Sequence, residues 1–124
     1  MIVDIITYNA ILDAVCTSQP LKARELYCRG HSLYGAVKGI ENGFPKLDLH
    51  NHSEGAGETA VLWWLEKQVP ATANKAEQLI IVTGWGKSRS VTCCADLRRR
   101  VGALLTRLGV PTLSSLNKGR FILS

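Results

Sequence analysis

The chain is 124 residues long, 46% apolar and 20% charged, which suits one packed core with a short appendage and excludes both a second full core and a disordered chain. No apolar run approaches the roughly 18 to 20 residues that cross a bilayer, which excludes a membrane partner. The net charge of +5 is one-sided: from Lys87 onward eight basic residues meet a single acid, Asp96, while the preceding chain is slightly acidic.

Residues 4–16 predict a first helix, with Ile6, Ala10 or Ile11 and Ala14 or Val15 on one face. A second helix is expected from Pro20, at the first helical position, through Leu21, Ala23, Leu26 and Tyr27 to Gly30. Two short helices joined by a turn cannot bury their faces alone and usually belong to a stacked array. The residues Ile5, Thr7, Tyr8, Asn9, Ile11, Leu12, Ala14 and Cys16, then Ala23, Glu25, Leu26 and Tyr27, resemble a single pentatricopeptide repeat. An unrelated helical hairpin has the same periodicity. The first fifteen residues carry Asp4 and Asp13 and no basic leader, so any organellar address is expected upstream of them. Of the four cysteines, Cys93 and Cys94 are adjacent and cannot form a zinc knuckle of CxxC type, so free, mostly buried thiols in a reducing compartment are expected.

Residues 35–45 hold Gly35, Gly39, Gly43 and Pro45 with little periodicity and read as a linker. The expected division is a helical hairpin with linker over 1–43 and an α/β domain over 44–124. In the second part, residues 46–50 alternate like a strand, residues 58–68 read as a helix, and residues 78–83 form a β-branched apolar run typical of a strand covered on both faces. Residues 95–108 predict an amphipathic helix, with Leu97, Val101, Leu104, Leu105 and Leu108 opposite the arginines and Gly109 at its end. Short strands at 112–116 and 120–123 complete the order. The fold class expected is α/β: a small four-stranded mixed sheet with two packed helices, preceded by a short helical hairpin.

Two motifs carry chemistry. Asp48 and His50 stand two residues apart at a strand end, which puts a carboxylate and an imidazole on one face as candidate catalytic groups. Thr83, Gly84, Trp85, Gly86, Lys87 and Arg89 follow the central strand; the glycines let a phosphate approach backbone N–H groups, and Lys87 and Arg89 add cations. Trp85, between two glycines, can serve as a stacking platform for an unpaired base. Arg98, Arg99 and Arg100 are candidate phosphate contacts, the alternative being a solvated helix face. Asp48 as a strand-end cap and His50 as a satisfied partner in the sheet are the corresponding structural readings. Trp63 and Trp64 are expected to divide between core and surface.

Together, in this order and about 35 residues apart, the two motifs resemble the signatures of the small MutS-related (Smr) domain over residues 47–124, in the form fused to pentatricopeptide repeats in plant organellar proteins. Asn51 and His52 stand where that family usually has a glycine and a hydrophobic residue, and Thr83 where it often has histidine. The resemblance implies binding of single-stranded RNA or DNA and endonuclease activity, with Asp48 and His50 as catalytic residues. It further implies a place in organellar RNA processing, in chloroplast or mitochondrion for a longer protein and in cytoplasm otherwise. A non-catalytic binding module beside a repeat array is the alternative. The cofactor is left open; a divalent cation such as Mg2+ is the one a carboxylate would take.

Overall fold

The computed structural model describes residues 4–68, 78–83, 91–113 and 119–123. Asp4 starts the first helix, its carboxylate accepting from the Thr7 amide at 2.8 Å, and α1 runs Ile5–Val15. Pro20 opens α2 (Pro20–Gly30), where its missing N–H would have no helical partner in any case. Tyr8, Leu12, Ala23 and Tyr27 are the buried residues of this pair, and a 3-10 turn, His31–Tyr34, follows with Tyr34 buried.

The segment read as a linker is a strand instead. β1 (Lys38–Glu41) pairs antiparallel with β2 (Phe44–Asp48) through the two-residue turn Asn42–Gly43. Both turn residues have positive φ, 53° and 85°, the geometry in which Asn-Gly matches the twist of a tight hairpin. Pro45, which has no N–H to give, faces Ile40 on β1 and precedes Lys46, where pairing with the next strand begins.

From β2 the chain enters α3 (Glu54–Trp63), which continues as a π-helical turn, Trp64–Gln68. The helix begins four residues earlier than the expected residue 58. Gly55 and Gly57 lower the local propensity, but Ser53 caps the first turn at the Ala56 amide, 3.3 Å away, and Asp13 of α1 accepts from the Gly55 amide at 2.7 Å. β3 (Leu79–Val82) then lies parallel to β2. α4 (Val91–Arg107), β4 (Thr112–Leu113) and β5 (Arg120–Leu123) complete the order. The four strands expected from residue 46 onward are present as β2 to β5 in a mixed sheet, and β1 makes it five, in the order β1-β2-β3-β5-β4. No helix among the described residues is long and apolar enough to cross a membrane.

Among the described residues, one hydrophobic cluster draws on every element except the edge strands β1 and β4. It joins Leu47, Leu49, Ile81 and Leu123 of the sheet region, Ala60, Val61 and Trp63 of α3, Leu97, Val101 and Leu105 of α4, and Leu12 and Tyr27 of the hairpin. Trp63 and Trp64 are both buried, contrary to the expected division. The reason is that α1 and α2 cover a face of α3 that an isolated sheet-packed helix would leave to water: Trp63 meets Tyr27 edge-on with ring centroids 5.3 Å apart. Leu108, expected inward, lies past the end of α4 and is half exposed. Cys16 and Cys28 are free thiols, but Cys16 is only half-buried and Cys28, next to the inward-facing Tyr27 on α2, is exposed, contrary to the expected burial.

The closest approach between hairpin and α3 is at Gly55. A Cβ there would lie 2.4 Å from Asp13 Oδ1 and 2.8 Å from the Asp13 Cα, so backbone as well as side chain would have to move. Gly55→Ala is therefore expected to lower the unfolding free energy by about 1 to 3 kcal/mol despite alanine's better helix propensity. Urea denaturation monitored by circular dichroism measures this; a midpoint equal to or above wild type would show that α1 does not dock on α3 as described.

Candidate nucleic-acid site

The parallel pair β2 and β3 is in register as Leu47 with Ile81 and Asp48 with Val82, so both strands end at the same edge of the sheet. The Leu49 amide donates to the Val82 carbonyl at 2.8 Å, extending the pairing by one bond. Beyond it the chain turns through His50 and Asn51, the latter at φ 65°, and the His52 amide closes the turn on the Leu49 carbonyl at 3.1 Å. Strand ends leading into loops at such an edge are where open α/β sheets place their ligands.

Asp48 and His50 meet there. Asp48 Oδ1 accepts from the His50 backbone amide at 3.0 Å and lies 3.1 Å from His50 Nδ1. The imidazole side chain is 52% exposed and the carboxylate 31% exposed, so the pair is formed and open to solvent. With Nδ1 facing a carboxylate, Nε2 is the nitrogen presented outward, ready to accept or give a proton. Among the described residues the side-chain hydrogen bonds of Asp48 use Oδ1, while its backbone amide donates to the Val37 carbonyl at 2.8 Å.

Thr83 follows β3 at the same edge and is buried. Its amide and its hydroxyl both donate to the Gly119 carbonyl, at 2.7 and 3.2 Å, tying the end of β3 to the turn before β5. Gly84, Trp85, Gly86, Lys87 and Arg89 lie outside the described residues, directly after it.

The three consecutive arginines of α4 point three ways. Arg98 stacks its guanidinium over the Phe121 ring, 4.8 Å from the centroid. Arg99 is exposed and pairs with Asp96 one turn earlier. Arg100 turns toward α3, where it pairs with Glu58 and donates to the Cys16 Sγ at 3.4 Å. Glu58 also accepts from Arg107 at 3.1 Å. Cys16, Glu58, Arg100 and Arg107 border an open groove of about 620 Å³ between the α1–α2 turn, α3 and α4, with Pro20, Leu62, Leu104 and Leu108 in its apolar lining.

His52 was not among the residues singled out by sequence, and it is the most constrained polar side chain at the site. It is 4% exposed, stacks on Tyr34 with ring centroids 3.9 Å apart, and has both ring nitrogens engaged. Nδ1 lies 3.0 Å from the His50 carbonyl and Nε2 lies 2.8 Å from the Tyr27 hydroxyl. A carbonyl can only accept, so Nδ1 carries the proton and Nε2 accepts from Tyr27. The sequence signal that could have found it is the departure at positions 51 and 52 from the usual glycine and hydrophobic residue, read together with Tyr27 and Tyr34.

Among the described residues no three His, Cys, Asp or Glu side chains come together as a metal-ligand group. A divalent cation at this edge would have Asp48 as its carboxylate ligand and would take its remaining oxygens from water and substrate.

No protein-family profile matches the chain. Over 80 residues, 61% of its length, it is 38% identical to a pentatricopeptide repeat-containing protein of Arabidopsis thaliana. That stretch is 9% of the plant protein, so the chain spans under a tenth of the length of the curated relative it matches.

Burial pushes the His52 imidazole down to about 4, with the hydrogen bond to the His50 carbonyl acting in the opposite direction. The unfolded chain, with histidine near 6.5, binds a proton that the folded chain refuses. This contribution to stability is therefore complete above about pH 6.5 and is lost as pH falls through the window down to about 4, a total of roughly 3 kcal/mol. His31, also lowered by burial, acts in the same sense. The difference between wild type and His52→Gln in unfolding free energy against pH isolates the His52 share: the wild-type curve is expected to fall more steeply between pH 6.5 and 4. Parallel curves would mean that His52 is not buried as the neutral imidazole.

Proposed function

We propose that this chain is a nucleic-acid-binding domain of the Smr type that cleaves single-stranded RNA, within a longer repeat-containing protein acting in RNA processing in a chloroplast or mitochondrion. The observation that carries the reading is the Asp48–His50 pair, hydrogen bonded and solvent-accessible at the edge where β2 and β3 end together. The similarity to a pentatricopeptide repeat-containing protein supports the setting beside a repeat array.

Cleavage of RNA through its own 2′-hydroxyl requires a base, a cation near the phosphate and a proton for the leaving oxygen. His50, oriented by Asp48, takes the 2′-hydroxyl proton at Nε2 as the 2′-oxygen attacks phosphorus. The P–O5′ bond breaks and the leaving 5′-oxygen takes its proton from solvent water, giving a 2′,3′-cyclic phosphate and a 5′-hydroxyl end. His52 is excluded from this exchange because both its nitrogens face protein partners. Lys87, Arg89 and the amides of Gly84 to Gly86 hold the phosphate, and Trp85 stacks an unpaired base. A divalent cation such as Mg2+, held by Asp48, would add charge neutralisation at the phosphate. Arg98 and Arg99 are the phosphate contacts of α4, while Arg100 ties α4 to α3 through Glu58.

One observation favours a second reading, a module that binds nucleic acid without cutting it. The Thr83 hydroxyl, standing where the family often has histidine, gives its proton to the Gly119 carbonyl and is buried. The same strand of RNA can then be clamped with no second proton-transfer group supplied from that position.

Incubating the folded chain with end-labelled single-stranded RNA, with and without EDTA, separates the readings. Asp48→Asn and His50→Ala are expected to keep the wild-type circular dichroism spectrum and to lower cleavage by on the order of 100-fold. Cleavage at the wild-type rate in both variants would contradict the assignment, and binding without cleavage by wild type would select the second reading.

A further inference from the structure

Among the described residues, the turn carrying His50 is tied to the sheet by the bond from the Leu49 amide to the Val82 carbonyl. Past that point, the described side chains that hold it from outside include those of the helical hairpin. Asn9 donates from Nδ2 to the Asn51 carbonyl at 3.0 Å and accepts at Oδ1 from the Ser53 amide at 3.2 Å and the Tyr34 hydroxyl at 2.6 Å. Asp13, one turn further along α1, accepts at Oδ1 from Ser53 Oγ at 2.8 Å and from the Gly55 amide. Tyr27 of α2 donates to His52 Nε2.

These contacts differ from ordinary docking of one helix on another. Hydrophobic burial through Leu12, Ala23 and Tyr27 would hold α1 and α2 on α3 without regard to the orientation of the turn. The polar contacts are directional and end on backbone atoms or capping groups of residues 51–55. Asn51 is a non-glycine residue in the left-handed region, an unfavourable conformation that persists only when neighbours impose it. A continuous chain of hydrogen bonds also leads inward: Tyr27 hydroxyl to His52 Nε2, His52 Nδ1 to the His50 carbonyl, and the His50 amide to Asp48 Oδ1. Because Asp48 Oδ1 bonds both the amide and the ring of His50, moving the His50 backbone moves the imidazole relative to the carboxylate.

We infer that the α1–α2 hairpin is a positioning element of the Asp48–His50 site, with Asn9 acting through Asn51 and Tyr27 acting through His52. The hairpin touches no reacting atom; it sets the angle at which the imidazole leaves the sheet edge. Its kinetic consequence rests on the nuclease reading above, whereas its structural consequence does not.

Two variants break the positioning contacts separately. Tyr27→Phe keeps the buried ring and removes the proton that His52 Nε2 accepts. Asn9→Asp keeps the acceptor used by Ser53 and Tyr34 and replaces the donor to the Asn51 carbonyl. In each, hydrogen exchange followed residue by residue by NMR is expected to show the His50 amide exchanging about tenfold faster or more, with Ile81 of β3 unchanged. In cleavage assays kcat is expected to fall about tenfold with KM within about twofold of wild type, since misplacing a reacting group costs rate more than binding. Wild-type exchange at His50 in both variants, or equal acceleration at His50 and Ile81, would overturn the inference. If the wild-type chain does not cleave RNA, the nuclease reading fails and the exchange measurement alone still decides this one.

Discussion

A buried imidazole is tolerated only if both nitrogens find partners, since an unpaired buried polar group costs about 1 to 3 kcal/mol. At His52 that requirement ties together parts of the chain that are far apart in sequence. Tyr27 comes from α2, the His50 carbonyl from the turn after β2, and Tyr34, stacked on the ring, from the turn after α2. Burial also raises the Tyr27 hydroxyl above its ordinary range, so it stays protonated and remains a donor at neutral pH. The neutral imidazole is therefore fixed in one tautomer and in one orientation. The turn that carries His50 inherits that orientation.

The same logic explains why the hairpin and the α/β part share one core. α3 is unusually small along its first turns, with Gly55, Ala56, Gly57, Thr59 and Ala60 buried. Such a helix admits close neighbours: α1 reaches Gly55 through Asp13, and Leu97 of α4 lies against Gly57. What these residues lack in helix propensity is offset by a capped N-terminus and by contact with three other helices. The capping groups, Ser53 and Asp13, are also the ones that fix the end of the site turn, so packing and site geometry depend on the same few atoms.

Much of this order was legible in the residues, and the exceptions have identifiable causes. The apolar run of β3 and the Leu97, Val101, Leu104 and Leu105 stripe of α4 mark elements whose burial follows from local pattern. Asp48 and His50 meet as their spacing suggests, but through the turn after β2, which ends at Asp48 and not at the expected residue 50, rather than through strand alternation. β1 escaped notice because its glycines suggested a connection, although Asn42–Gly43 is itself a hairpin signal once two-residue turns are considered. The burial of Trp63 depends on Tyr27 of the hairpin, a partner that no local pattern specifies, and the departure at Asn51 and His52 points to a buried imidazole only when read together with Tyr27 and Tyr34. The excess of basic residues after Lys87 overstated the free cations: Arg100 and Arg107 meet Glu58, and Arg120 meets Glu41, acids from the earlier part of the chain.

The central claim is that nucleic acid is engaged at the edge where β2 and β3 end. Titrating a short single-stranded RNA into isotope-labelled protein and following backbone amide resonances tests it without requiring turnover. The largest shifts are expected at His50, Asn51 and Thr83, with little change at Ile40, which faces Pro45 near the opposite end of β2. Shifts centred on β1, or none at low salt where phosphate contacts are strongest, would contradict it.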